Sequence, residues 1–497
     1  MIFLISYFLF FLHLIPAEQA TTFNIVSYGA KGDGVTDNTD AIRKTLLAAA
    51  NYSLASTVLI PAGDFLTGSL EIPSNVTFYL ARNAILRASD NESLYSPIPS
   101  MTSDTSPFDF PFLLVNNSHN VYFQGEGLIN GGANSPPGHL VREYQPSSNM
   151  LMPKEWNLTG CTYFSCRPKL LLIRHSHSIE ISEITIANSA FWTVTVVESE
   201  NILFDKVTIL GDRRWPNNDG IDLINTRHVI IRNSNISTGD DSIAIVSHGP
   251  SSMFNITVEN MDLQSTSAAI KVSAFDEDAS GNMYNMTFRD IRITDSNRGI
   301  CVAPRWGSGI ISDILFEQMN IETRYFGLSW WGTAEPIYVT GLSMSANRHW
   351  TGKLRNIQFR NIVAQGEQGF MIRGNTSLLE NISFENVSLT ISRWSNVTEH
   401  PLYDYRPSEE PQLIDALVDG IFAQDINGLS LENIFIEFKA PKQKYYGQCL
   451  NLNNITQKVE SNIQCRDVVS LSSSSKFLFR AELMFLFVLL KLFTNMV

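Results

Sequence analysis

The chain has 497 residues, 44% of them hydrophobic and 17% charged, a globular balance that argues against disorder and leaves room for one large core. Its formal net charge of −13 argues against nucleic acid and anionic membrane surfaces as partners. An acidic polymer is also disfavoured unless a local basic groove overrides the overall charge.

Residues 1–20 read as a secretory signal peptide: Phe3 to Ile15 is nearly all apolar, and the small residues Ala17 and Ala20 follow. The run is too short for a mature membrane-spanning helix. Thirteen Asn-x-Ser/Thr sequons, among them Asn75, Asn235, Asn255, Asn285 and Asn381, independently point to a secreted, glycosylated protein. Thr36 to Asp40 then leads into the Ala/Leu-rich segment Ala41–Ala50, predicted as a helix capped by Thr39 or Asp37. A helix at the start of a stack of coils covers its otherwise exposed apolar end. Thr57 to Gly63 begins the strands.

From there a phrase recurs: a polar residue, then Ile, Val or Met, then alternating apolar positions. It occurs at Asn120, Ser178, Asn201, His228, Asn255, Asn285, Asp313, Asn356 and Asn381. From Asn201 onward the intervals are 27, 27, 30, 28, 43 and 25 residues, the signature of a solenoid built from β-branched strands and short polar turns. The expected fold is an all-β parallel β-helix occupying residues 21–465 as one domain, with the Asn side chains bonding backbone at the turns. Two stretches break the rhythm. Residues 131–168 hold Trp156, Cys161 and Cys166, and the 43-residue interval holds Trp330 and Trp331. Insertions on one face of a solenoid are often binding loops, and paired tryptophans suit stacking on a sugar's C–H face. The alternative is that Trp330 or Trp331 simply packs the loop onto the helix.

The densest chemistry lies between. Asn217-Asn218-Asp219-Gly220-Ile221-Asp222 and Gly239-Asp240-Asp241 bring four carboxylates within 23 residues. Asp219 and Asp240 are 21 residues apart, near one coil's length, which puts them on neighbouring rungs about 4.8 Å apart. Asp-Gly alone is ordinary turn chemistry. Two such motifs at coil spacing crowd carboxylates until their pKa values split, which gives one proton donor beside ionised neighbours. Glycoside hydrolysis needs that division, and an acid and base separated by roughly 6.5–9.5 Å admit a water between them. No Cys/His spacing suggests zinc, and no metal or cofactor is expected.

These motifs resemble the first two signatures of the polygalacturonases, glycoside hydrolase family 28. Phe23 to Gly34 resembles that family's N-terminal segment, and the similarity runs from about residue 23 to about 440. The resemblance implies a right-handed parallel β-helix and inverting, single-displacement hydrolysis. It assigns Asp240 as general acid, with Asp219 and Asp241 holding the attacking water. It then weakens. Where the family has Gly-His-Gly, this chain has Thr266 to Val272. His248 lies only seven residues past Asp241 and reads instead as a solvated turn histidine. Where the family has Arg-Ile-Lys, Cys301 and Ala303 replace the basic pair that grips the uronate carboxylate. By period-2 parity Ile300 and Val302 point inward, while Cys301, Ala303 and Lys271 face the groove. A uronate beside Asp219, Asp222, Asp240 and Asp241 meets repulsion of about 4 kcal/mol per pair at 4 Å and an effective dielectric near 20. Either the sugar at the cleavage point is neutral, which the sequence favours, or Lys271, Arg298 or Arg305 pairs with its carboxylate. Of the three cations Lys271 is preferred.

Five cysteines leave Cys301 as a free thiol in a strand if Cys161 pairs with Cys166 and Cys449 with Cys465. In the tail 466–497, Ser472 to Ser475, a spacer and the apolar run Leu483 to Phe493 resemble a GPI-attachment signal, with a hydrophobic helix or frayed tail as the alternative. The chain thus reads as a secreted, monomeric glycoside hydrolase acting on a polysaccharide, with no nucleic-acid partner and membrane contact only through such an anchor. The rivals are a polysaccharide lyase, a hydrolase of a non-pectic glycan, and a non-catalytic carbohydrate-binding or matrix protein that keeps the fold.

Overall fold

The computed structural model describes residues 21–101, 108–133, 167–276, 278–327, 330–345, 347–375, 379–395, 402–409, 411–439 and 445–467. The expected signal peptide, Trp156, the Cys161/Cys166 pair and the possible anchor signal lie outside them.

The helix runs Thr39–Ala50 and buries Ile42, Leu46 and Ala49 against the first coil. Of the two predicted caps, Asp37 does the work: its Oδ1 accepts from Thr39 N at 2.9 Å and from Thr39 Oγ1 at 2.5 Å. Beyond it, thirty described strands join one continuous sheet, each pairing in parallel with the strand one coil later. The sheet wraps into the predicted right-handed parallel β-helix. One inward column reads Val229, Ile256, Met286, Ile314, Ile357, Ile382, Leu429 in strict register. Every member is at most 1% exposed. Another interior column stacks Phe288, Phe316, Phe359 and Phe384 with ring centroids 4.7–5.1 Å apart. Offset aromatic pairs of this kind add about 0.5–1.5 kcal/mol each beyond their buried area. Cys449 and Cys465 are disulfide-bonded across the last coil, and Cys301 is free and buried.

The recurring polar residue has a conformational cause. All nine members of the phrase from Asn120 to Asn381 have φ between 54° and 59°, the left-handed region that Asn and Asp tolerate best. Their side chains bond differently from the expectation. Rather than capping backbone, several reach the equivalent residue one coil away: Asn120 to Asn75 at 3.0 Å, Asn356 to Asp313 at 2.9 Å, Asn381 to Asn356 at 3.2 Å. Parallel strands repeat at about 4.8 Å, close enough for one carboxamide N–H to reach the next carbonyl. A second ladder links Asn233, Asn260, and further on Asn386, Asn433 and Asn462.

Replacing Asn356 with Ala removes one donated and one accepted ladder bond and leaves an unsupported Cβ at positive φ. Asn356→Ala is expected to destabilise the protein by about 1–2 kcal/mol, and Asn356→Gly by clearly less, in denaturant unfolding. Equal losses for the two would remove the conformational explanation.

Candidate active site

The two aspartate motifs form turns that enter the neighbouring strands Ile221–Ile224 and Ile243–Ser247. Asn218 welds them together. Its carboxamide oxygen accepts from Gly239 N at 2.7 Å and Asp240 N at 3.1 Å, while its Nδ2 donates to Asp212 O at 2.9 Å. Gly239 must lack a side chain, since a Cβ there would lie 2.1 Å from the carbonyl oxygen of Trp215. The same weld brings Asp219, Asp240 and Asp241 together: one carboxylate oxygen from each lies within 4.8 Å of the others. That is tighter than the separation expected for an acid and base, because two of the residues are consecutive and the third is one rung away. Asp219, Asp222 and Asp241 are buried and Asp240 is half-buried.

Each carboxylate has a distinct environment. Asp241 is the most fully bonded: its Oδ1 accepts from Ser267 Oγ at 2.9 Å and Ala268 N at 3.1 Å, and its Oδ2 pairs with Lys271 Nζ at 2.5 Å. Asp240 accepts from Asn217 N at 3.1 Å and from Asp241 N at 3.0 Å. Burial and then the Asp241 charge push its carboxyl up to about 6, against the pull of Lys271. Asp219 is held well above the usual carboxylate range by burial first and then by Asp240, Asp222 and Asp241. Burial and Asp241 do the same to Asp222, opposed by Lys169 and Lys271. Oδ1 of Asp219 and Oδ2 of Asp222 are buried without a hydrogen-bond partner in the described structure. The cluster therefore carries protons at mildly acidic pH, with the half-buried Asp240 best placed to deliver one.

Beside the carboxylates lies a small pocket lined by Asp241, Lys271, Cys301, Ala303, Arg305, Trp331, Tyr338, Tyr405 and Arg406, among others. Its basic side chains are held in three ways. Lys271 is bound to Asp241. Arg298 is 4% exposed, 3.3 Å from Glu335 and stacked 3.7 Å from the Tyr338 ring centre, so it belongs to the wall. Arg305 lies between aromatic faces, 4.2 Å from the Phe275 ring centre and 4.9 Å from that of Trp331. Trp331 is 41% exposed and lines the pocket, whereas Trp330 is tied through its carbonyl to Arg406 at 2.8 Å.

The groove is short. Its outward column runs Leu114, Leu172, Thr195, Asp222, Ala244, Lys271, Cys301, Tyr338, Met371, Phe422. After Cys301 these residues are buried beneath Tyr403 and Tyr405 from the hairpin of Leu402–Asp404 and Leu413–Asp415. Before Thr195 they are covered by Ile98, Met101 and Trp192. The parity argument holds for Ile300 and Val302, both fully buried inward. Cys301 faces the groove side but is 5% exposed, and burial pushes its thiol up, away from reactivity. His248 differs from expectation: it is 7% exposed rather than solvated, its backbone N–H donating to Asn225 Oδ1 at 3.0 Å and its ring beside Phe275.

Two cations went unnoticed in the sequence. Arg167 donates to Asn217 Oδ1 at 2.8 Å, and Lys169 pairs with Asp109 at 2.8 Å while its charge opposes proton uptake at Asp222. The available signal was a basic pair flanking Pro168 at the mouth of an apolar strand.

A family model described as Glycosyl hydrolases family 28 matches residues 52–400. A probable polygalacturonase of Vitis vinifera is 27% identical over 368 residues, 70% of this chain and 69% of that protein. An exo-poly-alpha-D-galacturonosidase of Dickeya chrysanthemi is 31% identical over 250 residues, 44% of this chain and 41% of its own length. Among solved structures, a family 28 exopolygalacturonase of Yersinia enterocolitica superposes with a TM-score of 0.60 at 16% identity, over 92% of this chain and 79% of that one. The endo-xylogalacturonan hydrolase of Aspergillus tubingensis superposes at 0.54 and 15% identity, over 91% of this chain and all of its own. With the family model spanning most of the coils and both aspartate motifs, the chain is a glycoside hydrolase belonging to glycosyl hydrolases family 28.

Proposed function

We propose that the protein is secreted and hydrolyses a pectic polygalacturonan by inversion, working from a chain end. The observation that carries the hydrolytic reading is the convergence of Asp219, Asp240 and Asp241. Two oxygens within 4.8 Å of each other can share one water at about 2.8 Å from both. Asp219 and Asp241 would hold that water against the anomeric carbon while Asp240 gives its proton to the departing oxygen. Three carboxylates thereby divide the work that a separated pair does elsewhere. An acidic sugar is favoured over a neutral one because Arg305 lines the adjoining pocket, where Lys271, Arg298 and Arg406 are paired with Asp241, Glu335 and Asp404. Arg305 is the residue best placed to meet a uronate, since its guanidinium is already oriented by two rings. Support for chain-end action is the burial of Tyr338, Met371 and Phe422 on one side and of Leu172 and Thr195 on the other, which among the described residues leaves no open furrow for a long polymer to cross.

Asp240→Asn is expected to reduce turnover on polygalacturonate by about two to four orders of magnitude with little change in melting temperature, because the amide keeps the volume and loses the acidic proton. Normal cleavage by this variant would dismiss Asp240 as the acid. For the wild-type enzyme, kcat should fall as pH rises through about 6, where Asp240 loses its proton; activity rising across that interval would contradict the assignment. Fresh products followed by NMR should carry the anomeric configuration opposite to the substrate's and should be a single short sugar from the first minutes, with little loss of viscosity. A ladder of oligomers would refute chain-end action, and retained configuration would refute inversion.

A further inference from the structure

Lys271 occupies an unusual position for a groove cation. It sits one rung beyond Ala244 and two beyond Asp222 in the outward column, and Ala268 stands on its own rung next to Asp241. The small methyls of Ala244 and Ala268 leave a channel along which the lysine side chain turns back towards the carboxylates. Its Nζ ends 2.5 Å from Asp241 Oδ2, with the side chain only 20% exposed. Ser267 Oγ and Ala268 N already occupy the other oxygen of Asp241, so Lys271 completes the bonding of a residue that is 1% exposed. With its charge and one N–H committed to Asp241, this ammonium grips a substrate carboxylate more weakly than an uncommitted cation would.

Resting on the hydrolase reading above, we infer that Lys271 is a positioning residue: it completes the bonding of Asp241 and fixes its orientation as a water-binding carboxylate, and it is not a substrate grip. The charges around it agree. Asp219, Asp240 and Asp241 face it from the aspartate turns, Asp222 lies along the column, and Arg305 and the Cys301 thiol lie on the following coil, with Arg298 behind Cys301. Burial works against its ammonium, yet Asp241, Asp240 and Asp219 together outweigh it and raise its pKa. Four crowded carboxylates with no internal cation would take up protons until no base remained. Lys169, paired with Asp109, stands beside Asp222 rather than beside the water-holding pair.

The test uses the full-length enzyme with Lys271→Gln, Lys271→Met and Lys271→Arg. The Lys271 charge opposes proton uptake at Asp219, Asp222 and Asp240, so removing it leaves the cluster protonated to higher pH. The acidic limb of the kcat profile should therefore move up by about one to three pH units in the two uncharged variants. At mildly acidic pH, kcat should fall by about a hundredfold, KM should change little, and Lys271→Arg should restore the wild-type limb. An unmoved limb with a raised KM would make Lys271 a substrate grip, and an unmoved limb with only a lower melting temperature would make it packing; either overturns the inference. NMR titration of Asp carboxyl carbons in the resting enzyme gives a readout independent of substrate. At least one midpoint should rise in Lys271→Gln and Lys271→Met, and if none does, the inference fails whatever the enzyme cleaves.

Discussion

Backbone hydrogen bonds in this molecule run along the axis of the coil, so every residue lies about 4.8 Å from its counterpart one turn away. That single constraint makes columns, and columns demand like with like. Inside, it yields the aliphatic column from Val229 to Leu429 and the ring stack from Phe288 to Phe384. At the corners it yields asparagine on asparagine, because one residue type both tolerates positive φ and carries a donor and an acceptor for its neighbours. On the groove face the same constraint gathers acid against acid, where chemistry replaces packing.

Crowded anions are stable only when their surroundings supply compensation, and the fold does so unevenly. Asp241 has three donors, Asp240 has two backbone amides, and Asp219 and Asp222 each keep a buried oxygen unmatched. The inequality gives the carboxylates different proton affinities. A uniformly satisfied cluster would be four ionised spectators, and a uniformly starved one would be four neutral acids. Arg167 contributes indirectly, since it fixes the Asn217 carboxamide whose own backbone N–H reaches Asp240.

Much of this was legible in the chain because columns leave a period in the sequence. The interval of 25–30 residues predicted the stacked strands, and the spacing of Asp219 and Asp240 placed them on adjacent rungs. What escaped was whatever depends on loops rather than on period. Which tryptophan faces the pocket, how Arg298 becomes a wall residue through Glu335, and why His248 is buried all follow from contacts between segments tens of residues apart. Lys271 was correctly placed on the groove face by alternation. Its partner was not foreseen, because alternation gives the side of a strand and says nothing about how far a long side chain leans. Asparagine bonding was misjudged for a related reason: a ladder between coils is a long-range contact that a turn-by-turn reading treats as local.

The hairpin of Leu402–Asp404 and Leu413–Asp415 reaches back a long way. The carbonyl of Asp404 accepts from Arg298, 106 residues earlier, and its carboxylate accepts from Gly332 N, 72 residues earlier. Coils can add one upon another as the chain emerges from the ribosome, each resting on the last. The pocket cannot be finished that way, because its wall arrives only with the closing coils. A nascent chain halted before residue 402 would hold its aspartates in register yet leave Tyr338 and Met371 bare. The chain thus separates two requirements that the mature molecule presents as one: the carboxylates meet through adjacent coils, and the chamber closes only through residues from 402 onward.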